Sequence, residues 1–144
     1  MNNEFSAGPR KFKVSKINAL KQFHIVRRMT PILSKLAPKL KDLRPLVMTN
    51  GEMTEDQKLD AAADFLAPVI EGFSLLSDKD SEYVLMTLLE AVEMHQEQYG
   101  NWAKVASGGQ LMFQDLDLGV LMQAAGRAFM FNLQGFFAVL PQVL

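Results

Sequence analysis

The sequence predicts a mainly α-helical fold: a single compact helical domain of about four to five helices, with a short N-terminal strand and a small β-hairpin before the last helix. Three observations indicate this fold. Apolar residues recur at helical spacing through most of the 144 residues. Polar and apolar residues alternate at residues 10–16, and the pair Gly108-Gly109 marks a tight turn. The length and a hydrophobic content of 49% suffice for one core.

The N-terminal segment predicts a leader followed by one strand. Residues 1–9 are expected to form a flexible leader, and residues 10–144 the single helical domain. Phe12 and Val14 alternate with Lys11 and Lys13, which is typical of a strand with a lysine-rich edge.

Two helices are predicted next. Asn18 can cap a helix over residues 19–29, because its short side chain can accept a hydrogen bond from the first helical turn. The apolar positions of this helix form one face with Leu20, Phe23 and Val26, and an adjacent face with Ile25 and Met29. Thr30-Pro31 then predicts an N-cap and first helical position for a helix over residues 32–43, which Pro38 is expected to bend.

The middle of the chain predicts a loop and two further helices. Residues 45–52 contain Asn50-Gly51 and predict a loop, and residues 54–57 form a capping box ahead of a helix that extends to Phe73. A second capping box, from Ser77 to Asp80, opens the strongest helical pattern. Its apolar stripe consists of Leu85, Leu88, Leu89 and Val92. Gly100 stands where a C-terminal glycine cap is expected.

The last third predicts the hairpin and the final helix. Residues 102–105 and 110–113 flank a small hairpin turn at residues 106–109. Asp115 and Asp117 are expected to cap a helix over residues 118–134 and to complement its dipole. The predicted domain thus has four segments: a basic third (10–48), an acidic helical part (49–100), a hairpin (101–114) and an apolar C-terminal helix (115–144).

Charge is strongly polarised along the chain. Eleven of the fifteen Lys and Arg residues lie in the first 48 positions, with two acids, whereas the remaining positions carry four basic and fourteen acidic residues. The formal net charge of -1 therefore combines a segment near +9 with one near -10. Such a pattern indicates electrostatic docking, either within the chain or onto a charged partner. Which of the two occurs is left open.

No catalytic constellation emerges from the sequence. There is no cysteine, which excludes disulfides and thiol chemistry. His24 and His95 are placed on different helices, and Glu93, His95 and Glu97 would diverge around a helix instead of converging on a metal. We therefore expect no enzyme, no metal site and no cofactor. We also expect no membrane span, because the uncharged residues 128–144 fall short of the roughly 20 apolar residues required.

The apolar C-terminal helix predicts a partner surface. Residues 128–131 are apolar around a full turn, so one helix face should be left over after folding, and methionine makes such faces adaptable. We expect client or self-association contacts at Phe129, Met130, Phe136 and Phe137, and secondary contacts at Arg27 and Arg28.

Two passages resemble the tail assembly chaperones of long-tailed bacteriophages and prophages. The first is residues 13–33, KVSKINALKQFHIVRRMTPIL. The second comprises Asn101-Trp102, residues 111–118 (LMFQDLDL), Met122, Arg127, Asn132-Leu133 and Phe136-Phe137.

The resemblance implies a non-enzymatic protein of virion assembly. Such chaperones bind the tape-measure protein, a long helical chain, and keep it soluble until tail tube subunits displace them. It also implies action in the cytoplasm of the bacterial host and absence from the mature virion. Self-association is left open. The alternative function is a nucleic-acid-associated regulator that uses the basic N-terminal third.

Overall fold

The computed structural model of the chain describes residues 3–36 and 70–143, with the side chains of residues 36 and 136–143 outside that description. The fold is mixed α/β. The predicted fold class, mainly α, therefore gave the strands too small a share. Within the described ranges, four helices and residues 70–74 are helical, and six strands form a four-stranded antiparallel sheet and a separate two-stranded hairpin. The predicted loop at 45–52, the capping box at 54–57 and the bend at Pro38 lie outside the described residues.

The chain divides into two compact units, residues 1–25 with 82–144, and residues 26–81. The first unit contains both β-structures, and its largest fully buried side chains include Phe12, Ile25, Leu89, Met94 and Leu133. In the second unit, Met29 and Ile32 are buried. The expectation of a single domain over residues 10–144 stays a prediction.

Strands β1 (Glu4–Ala7) and β2 (Arg10–Val14) form an antiparallel pair at the start of the chain. The prediction of β2 is confirmed, but β1 occupies the segment for which the sequence predicts a flexible leader. Phe5 is the register partner of Phe12, and their rings stack with centroids 5.2 Å apart. The stacking of this aromatic pair stabilises the pairing of β1 with β2.

Helix α1 (Ala19–Arg28) is capped as predicted, since Asn18 Oδ1 accepts a hydrogen bond from the backbone N–H of Lys21 at 2.9 Å. Helix α2 (Thr30–Leu36) follows. Thr30 is not its N-cap, however. Its hydroxyl donates to the carbonyl of Arg27 at 2.9 Å, so it satisfies the end of α1.

Helix α3 (Asp78–Glu90) begins at the predicted cap, where Ser77 Oγ accepts from the backbone N–H of Asp80 at 3.0 Å. It ends ten residues before Gly100. The prediction that the helix continues past Val92 is wrong, because Val92 opens strand β3 (Val92–Gln96).

The sheet has the order β1-β2-β3-β4, with β4 formed by Asn101–Lys104. In β3, Val92 and Met94 are buried and pair with Val14 and Phe12 of β2. Gly100 has a φ of 67°, which serves the turn between β3 and β4. Residues 102–105 were expected to flank the late hairpin, but most of them belong to β4 and pair with β3.

The late hairpin is confirmed in a shorter form. It joins β5 (Ala106–Ser107) to β6 (Gln110–Leu111) through Gly108 and Gly109, with φ values of 61° and 78°. Positive φ at both central residues is what a type I′ turn requires, and glycine adopts it without strain.

Helix α4 (Leu118–Val143) packs across β1, β2 and β3. Asp117 caps it as predicted, since its Oδ1 accepts from the backbone N–H of Val120 at 2.9 Å. The buried side of α4 recurs every three to four residues. It consists of Leu121, Ala124, Ala125, Ala128, Phe129 and Leu133. The three alanines allow the helix backbone to approach the sheet closely.

Candidate functional site

Helix α1 presents two large apolar side chains to solvent. Leu20 is 69% exposed and Phe23 is 58% exposed. They lie three residues apart in a helix, so they share one face. We call this the α1 face and define it by Leu20 and Phe23. The sequence assigned Leu20 and Phe23 to an apolar stripe, but the buried residue of this stretch is Ile25, which lies on the adjacent face.

The sequence that leads into α1 and forms its first turns is basic. Residues 10–25 contain five Lys and Arg residues and no Asp or Glu. Of these five, Arg10 pairs with Asp115 and Lys13 lies 3.8 Å from Glu93. Lys11, Lys16 and Lys21 are exposed and form no ion pair within the part of the chain that the structure describes. These three lysines therefore carry charge that is not paired among the described residues.

Polar contacts from α4 hold the start of α1. Asn132 Oδ1 accepts from the backbone N–H of Ile17 at 2.6 Å, and Asn132 Nδ2 donates to the carbonyl of Ser15 at 3.2 Å. Gln22 Nε2 donates to the carbonyl of Ile17 at 2.8 Å and lies 3.4 Å from Asn132 Oδ1. The α1 face is thus carried by a helix whose first turns are fixed to the core.

The partner residues predicted on α4 fall into two groups. Phe129 is only 8% exposed and belongs to the core, and Met130 is half-buried. Phe136 and Phe137 lie on α4, but their side chains are outside the described residues. The role of all four as partner contacts stays a prediction.

The two predicted arginines differ in their surroundings. Arg28 is half-buried, and its Nη1 donates to Asp80 Oδ1 at 2.9 Å. Arg27 is exposed in the last turn of α1. Arg28 is therefore already engaged within the chain. The role of both arginines in partner binding also stays a prediction.

Charge alternates across one register row of the four-stranded sheet. Glu4 pairs with Lys13, Lys13 with Glu93, and Glu93 with Lys104. Opposite charges on neighbouring strands stabilise such a row. Together with Arg10–Asp115 and Arg28–Asp80, the Lys13–Glu93 pair joins the basic N-terminal third to the acidic remainder, so part of the charge polarity is satisfied within the chain.

His95 lies on β3 and not on a helix, which corrects the sequence prediction. Its ring meets that of its register partner Trp102 edge-on at 5.0 Å, and Lys13 Nζ lies 4.7 Å from the centre of the Trp102 ring. His95 Nδ1 is buried and has no hydrogen-bond partner among the described residues. Within the part of the chain that the structure describes, no three His, Cys, Asp or Glu side chains lie together so that they could hold a metal ion.

An open groove of about 400 Å³ lies beside this cluster. Arg10, Met94, His95, Tyr99 and Phe113 are among the residues that line it. The other lining residues are Pro9, Lys11, Gln96, Glu97 and Gln98, so charged, amide, aromatic and thioether side chains all contribute.

Other exposed apolar residues of the first unit occur in acidic surroundings. Leu118 is 70% exposed at the start of α4, next to Asp117, and Met112 is 56% exposed near Asp115. Both carboxylates are engaged, Asp117 as the cap of α4 and Asp115 with Arg10.

Among the described residues, none of the helices is both long enough and apolar enough to traverse a membrane.

Comparison with known proteins identifies a family that matches nearly the whole chain. The family model described as phage tail assembly chaperone protein, TAC, matches residues 7–143. The match includes α1, strands β2, β3 and β4, and α4. No curated protein and no solved structure shows a significant match.

Proposed function

Because the chain belongs to the phage tail assembly chaperone family, whose members are non-catalytic chaperones, we propose that it binds the tape-measure protein and keeps it soluble while the tail tube assembles. Family membership implies binding to tail proteins in general. The tape-measure protein is the specific client of our proposal. The chaperone acts in the cytoplasm of the bacterial host, hands its client to tail tube subunits and is absent from the mature virion.

The exposed apolar pair Leu20 and Phe23 is the observation that supports this proposal beyond family membership. A chaperone for a long helical chain requires apolar surface that stays outside its own core and that can take an amphipathic helix. Neither side chain is among the buried residues of the core. Phe136 and Phe137 remain candidates for additional client or self-association contacts.

Nucleic-acid binding receives less support from the structure. Arg10, Lys13 and Arg28 are among the cations that would form a phosphate footprint, and each of them pairs with a carboxylate of this chain. A regulator that binds phosphates would require these groups to leave their partners.

Co-expression with the tape-measure protein of the same genome tests the proposal. The client should be insoluble when expressed alone, and it should become soluble and co-purify with several copies of this chain when both are expressed. Light scattering of the affinity-captured complex gives the number of copies. The control is an unrelated coiled-coil protein of similar length and net charge, which should not be retained. A client that stays insoluble and uncaptured would overturn the proposal.

A further inference from the structure

We infer that strand β4 pairs with β4 of a second copy of this chain, antiparallel and about a two-fold axis at Ala103, so that two four-stranded sheets join into one. β4 stands at the end of the strand order β1-β2-β3-β4, so among the described strands it has a neighbour on one side only. Such a dimer would form whether or not the tape-measure protein is the client.

The hydrogen bonds of the sheet show which backbone groups of β4 face outward. The backbone N–H of Val105 donates to the carbonyl of Val92 at 3.0 Å, directly after β4. Because inward-facing and outward-facing residues alternate along an antiparallel strand, Ala103 also faces β3, whereas the N–H and C=O groups of Trp102 and Lys104 face away from it. We call these outward groups of Trp102 and Lys104 the β4 edge. Among the described residues, no backbone hydrogen bond reaches it.

The side chains near β4 leave this edge accessible. Lys104 is exposed. The ring of Trp102 leans over the sheet towards β2, since Lys13 Nζ lies 4.7 Å from its centre. The hairpin that follows β4 is tied to the end of α3, which leads into β3, because the backbone N–H of Gly109 donates to Glu90 Oε1 at 3.2 Å. The ring and the hairpin are therefore both on the β3 side of β4.

The chemistry of the β4 edge selects an extended strand as its partner. Only extended backbone presents N–H and C=O groups at the spacing of a sheet, and an open edge is a template for such a strand. A helix uses these groups in its own hydrogen bonds, so the helical client of the proposed function does not fit here. A second copy of this chain supplies a matching strand, namely β4 itself.

One two-fold register satisfies the whole β4 edge. With the axis at Ala103, Trp102 of each copy lies opposite Lys104 of the other, and the two pairs form four backbone hydrogen bonds. An axis at Lys104 would place the two lysines directly opposite each other, which is destabilising. An axis at Trp102 would place Lys104 opposite Gly100, whose N–H already donates to the carbonyl of Gln96 at 2.8 Å.

The other outer strand of the sheet, β1, is the competing occupant. Pairing of β4 with β1 of the next copy could set Lys104 opposite Glu4, but Glu4 already takes part in an interaction within the chain. This head-to-tail arrangement repeats with every added copy and gives a ring or a filament, whereas two-fold pairing stops at two copies. The mass of the assembly therefore distinguishes the two arrangements.

Cysteine cross-linking of the full chain tests the register, because the chain contains no cysteine of its own. Across the axis the two Cα atoms of Ala103 would be about 4.5 Å apart, a distance that a disulfide spans. Ala103→Cys should therefore give a covalent dimer under oxidising conditions. Asn101→Cys is the matched control, on the same strand and the same face. Its two copies would lie four residues apart along the strand, roughly 14 Å, and should not cross-link.

Proline substitution tests the backbone bonds. Lys104→Pro removes an outward N–H, so the pairing of β4 with β3 is retained and the bond to the other copy is lost. We expect the dimer dissociation constant, measured by sedimentation equilibrium of the protein alone, to rise on the order of tenfold to a hundredfold.

Two control variants accompany this measurement. Lys104→Ala keeps the N–H, and Ser6→Pro removes the corresponding outward N–H of β1. Both should dimerise like the wild type. Circular dichroism and the fluorescence of Trp102, the one tryptophan of the chain, verify that each variant is folded. Should Lys104→Pro not fold, the comparison of Ala103→Cys with Asn101→Cys decides, because it leaves the backbone of β4 unchanged.

Three outcomes would overturn the inference. The first is a wild type that stays monomeric at every concentration, with no more covalent dimer from Ala103→Cys than from Asn101→Cys. The second is loss of association in Ser6→Pro as well as in Lys104→Pro, with masses beyond two copies, which would identify β1 as the partner. The third is a monomeric chain whose Lys104→Pro variant no longer retains a client that the wild type retains, which would assign the β4 edge to an extended client segment. Failure of the dimer in the protein alone leaves the proposed function standing.

Discussion

Asn132, in the middle of α4, accepts a hydrogen bond from the backbone N–H of Ile17 at 2.6 Å. The two residues are 115 positions apart in sequence. Ile17 is 6% exposed, so water does not readily replace Asn132 as the acceptor. The same amide donates to the carbonyls of Ser15 and Ala128. One side chain therefore fixes the segment between β2 and α1 on the C-terminal helix.

We predict that Asn132→Ala lowers the free energy of unfolding by about 1–3 kcal/mol. The reason is that a buried backbone donor loses its acceptor, which costs more than the net worth of the bond. Urea unfolding followed by circular dichroism measures the change. Gln134→Ala, at an exposed position of the same helix, is the control and should change stability by less than about 0.5 kcal/mol. Equal effects of the two substitutions would contradict the structural role of Asn132.

Strand β3 was predicted as part of a helix, because the local sequence pattern is compatible with a helix. Residues 92–96 follow a helix without a glycine or proline, and Glu93, Met94 and Gln96 are acceptable in helices. The sequence does contain alternation, with Val92 and Met94 buried and Glu93 between them. This segment forms a strand because it pairs with β2, where Val14 and Phe12 supply the apolar partners. Such pairing depends on residues about 80 positions away, and strand preference follows this context.

The N-termini of three helices could be predicted, because the capping signals that set them are local. Asn18, Ser77 and Asp117 each accept from a backbone N–H of the first turn. The α1 face could be predicted only in part. The sequence of α1 is apolar on two adjacent faces, and one of these faces stays exposed. Which face is buried depends on the position of α4. From the sequence, Asn132 could be identified only as a polar residue within the mostly apolar residues 128–144, and its hydrogen bonds could not be predicted.

We predict that Gly72→Ala destabilises the second unit by about 1–3 kcal/mol. A Cβ at this position would stand 2.6 Å from the Cα of Ile32, so the backbone of one of the two segments must shift. Gly126→Ala is the matched control, because Gly126 is an exposed helical glycine with open space around its Cβ position. There the helix propensity of alanine should stabilise by about 0.5–1 kcal/mol. Thermal unfolding measures both changes, and a gain in both variants would show that Gly72 tolerates a side chain.

We predict a modest coupling between Arg28 and Asp80. Their ion pair of 2.9 Å is partly exposed, with 23% and 40% of the side chains accessible, so screening should limit the coupling energy to about 0.5–1 kcal/mol. A double-mutant cycle of Arg28→Ala and Asp80→Ala, read from urea unfolding, isolates this energy. It should fall when NaCl is added. A coupling near zero at low salt would show that the ion pair with Asp80 does not stabilise the fold.

We predict that Asp117→Ala costs about 0.5–2 kcal/mol, whereas Asp117→Asn is nearly neutral. Asp117 Oδ1 accepts from the backbone N–H of Val120 at the start of α4, and an asparagine oxygen can accept the same bond. The small difference that remains between the two variants reports the favourable placement of a negative charge at a helix N-terminus, which salt weakens. Urea unfolding of both variants at low and high salt measures the cap and the charge separately. If Asp117→Asn costs as much as Asp117→Ala, the charge of Asp117 stabilises α4 and the hydrogen bond to Val120 contributes little.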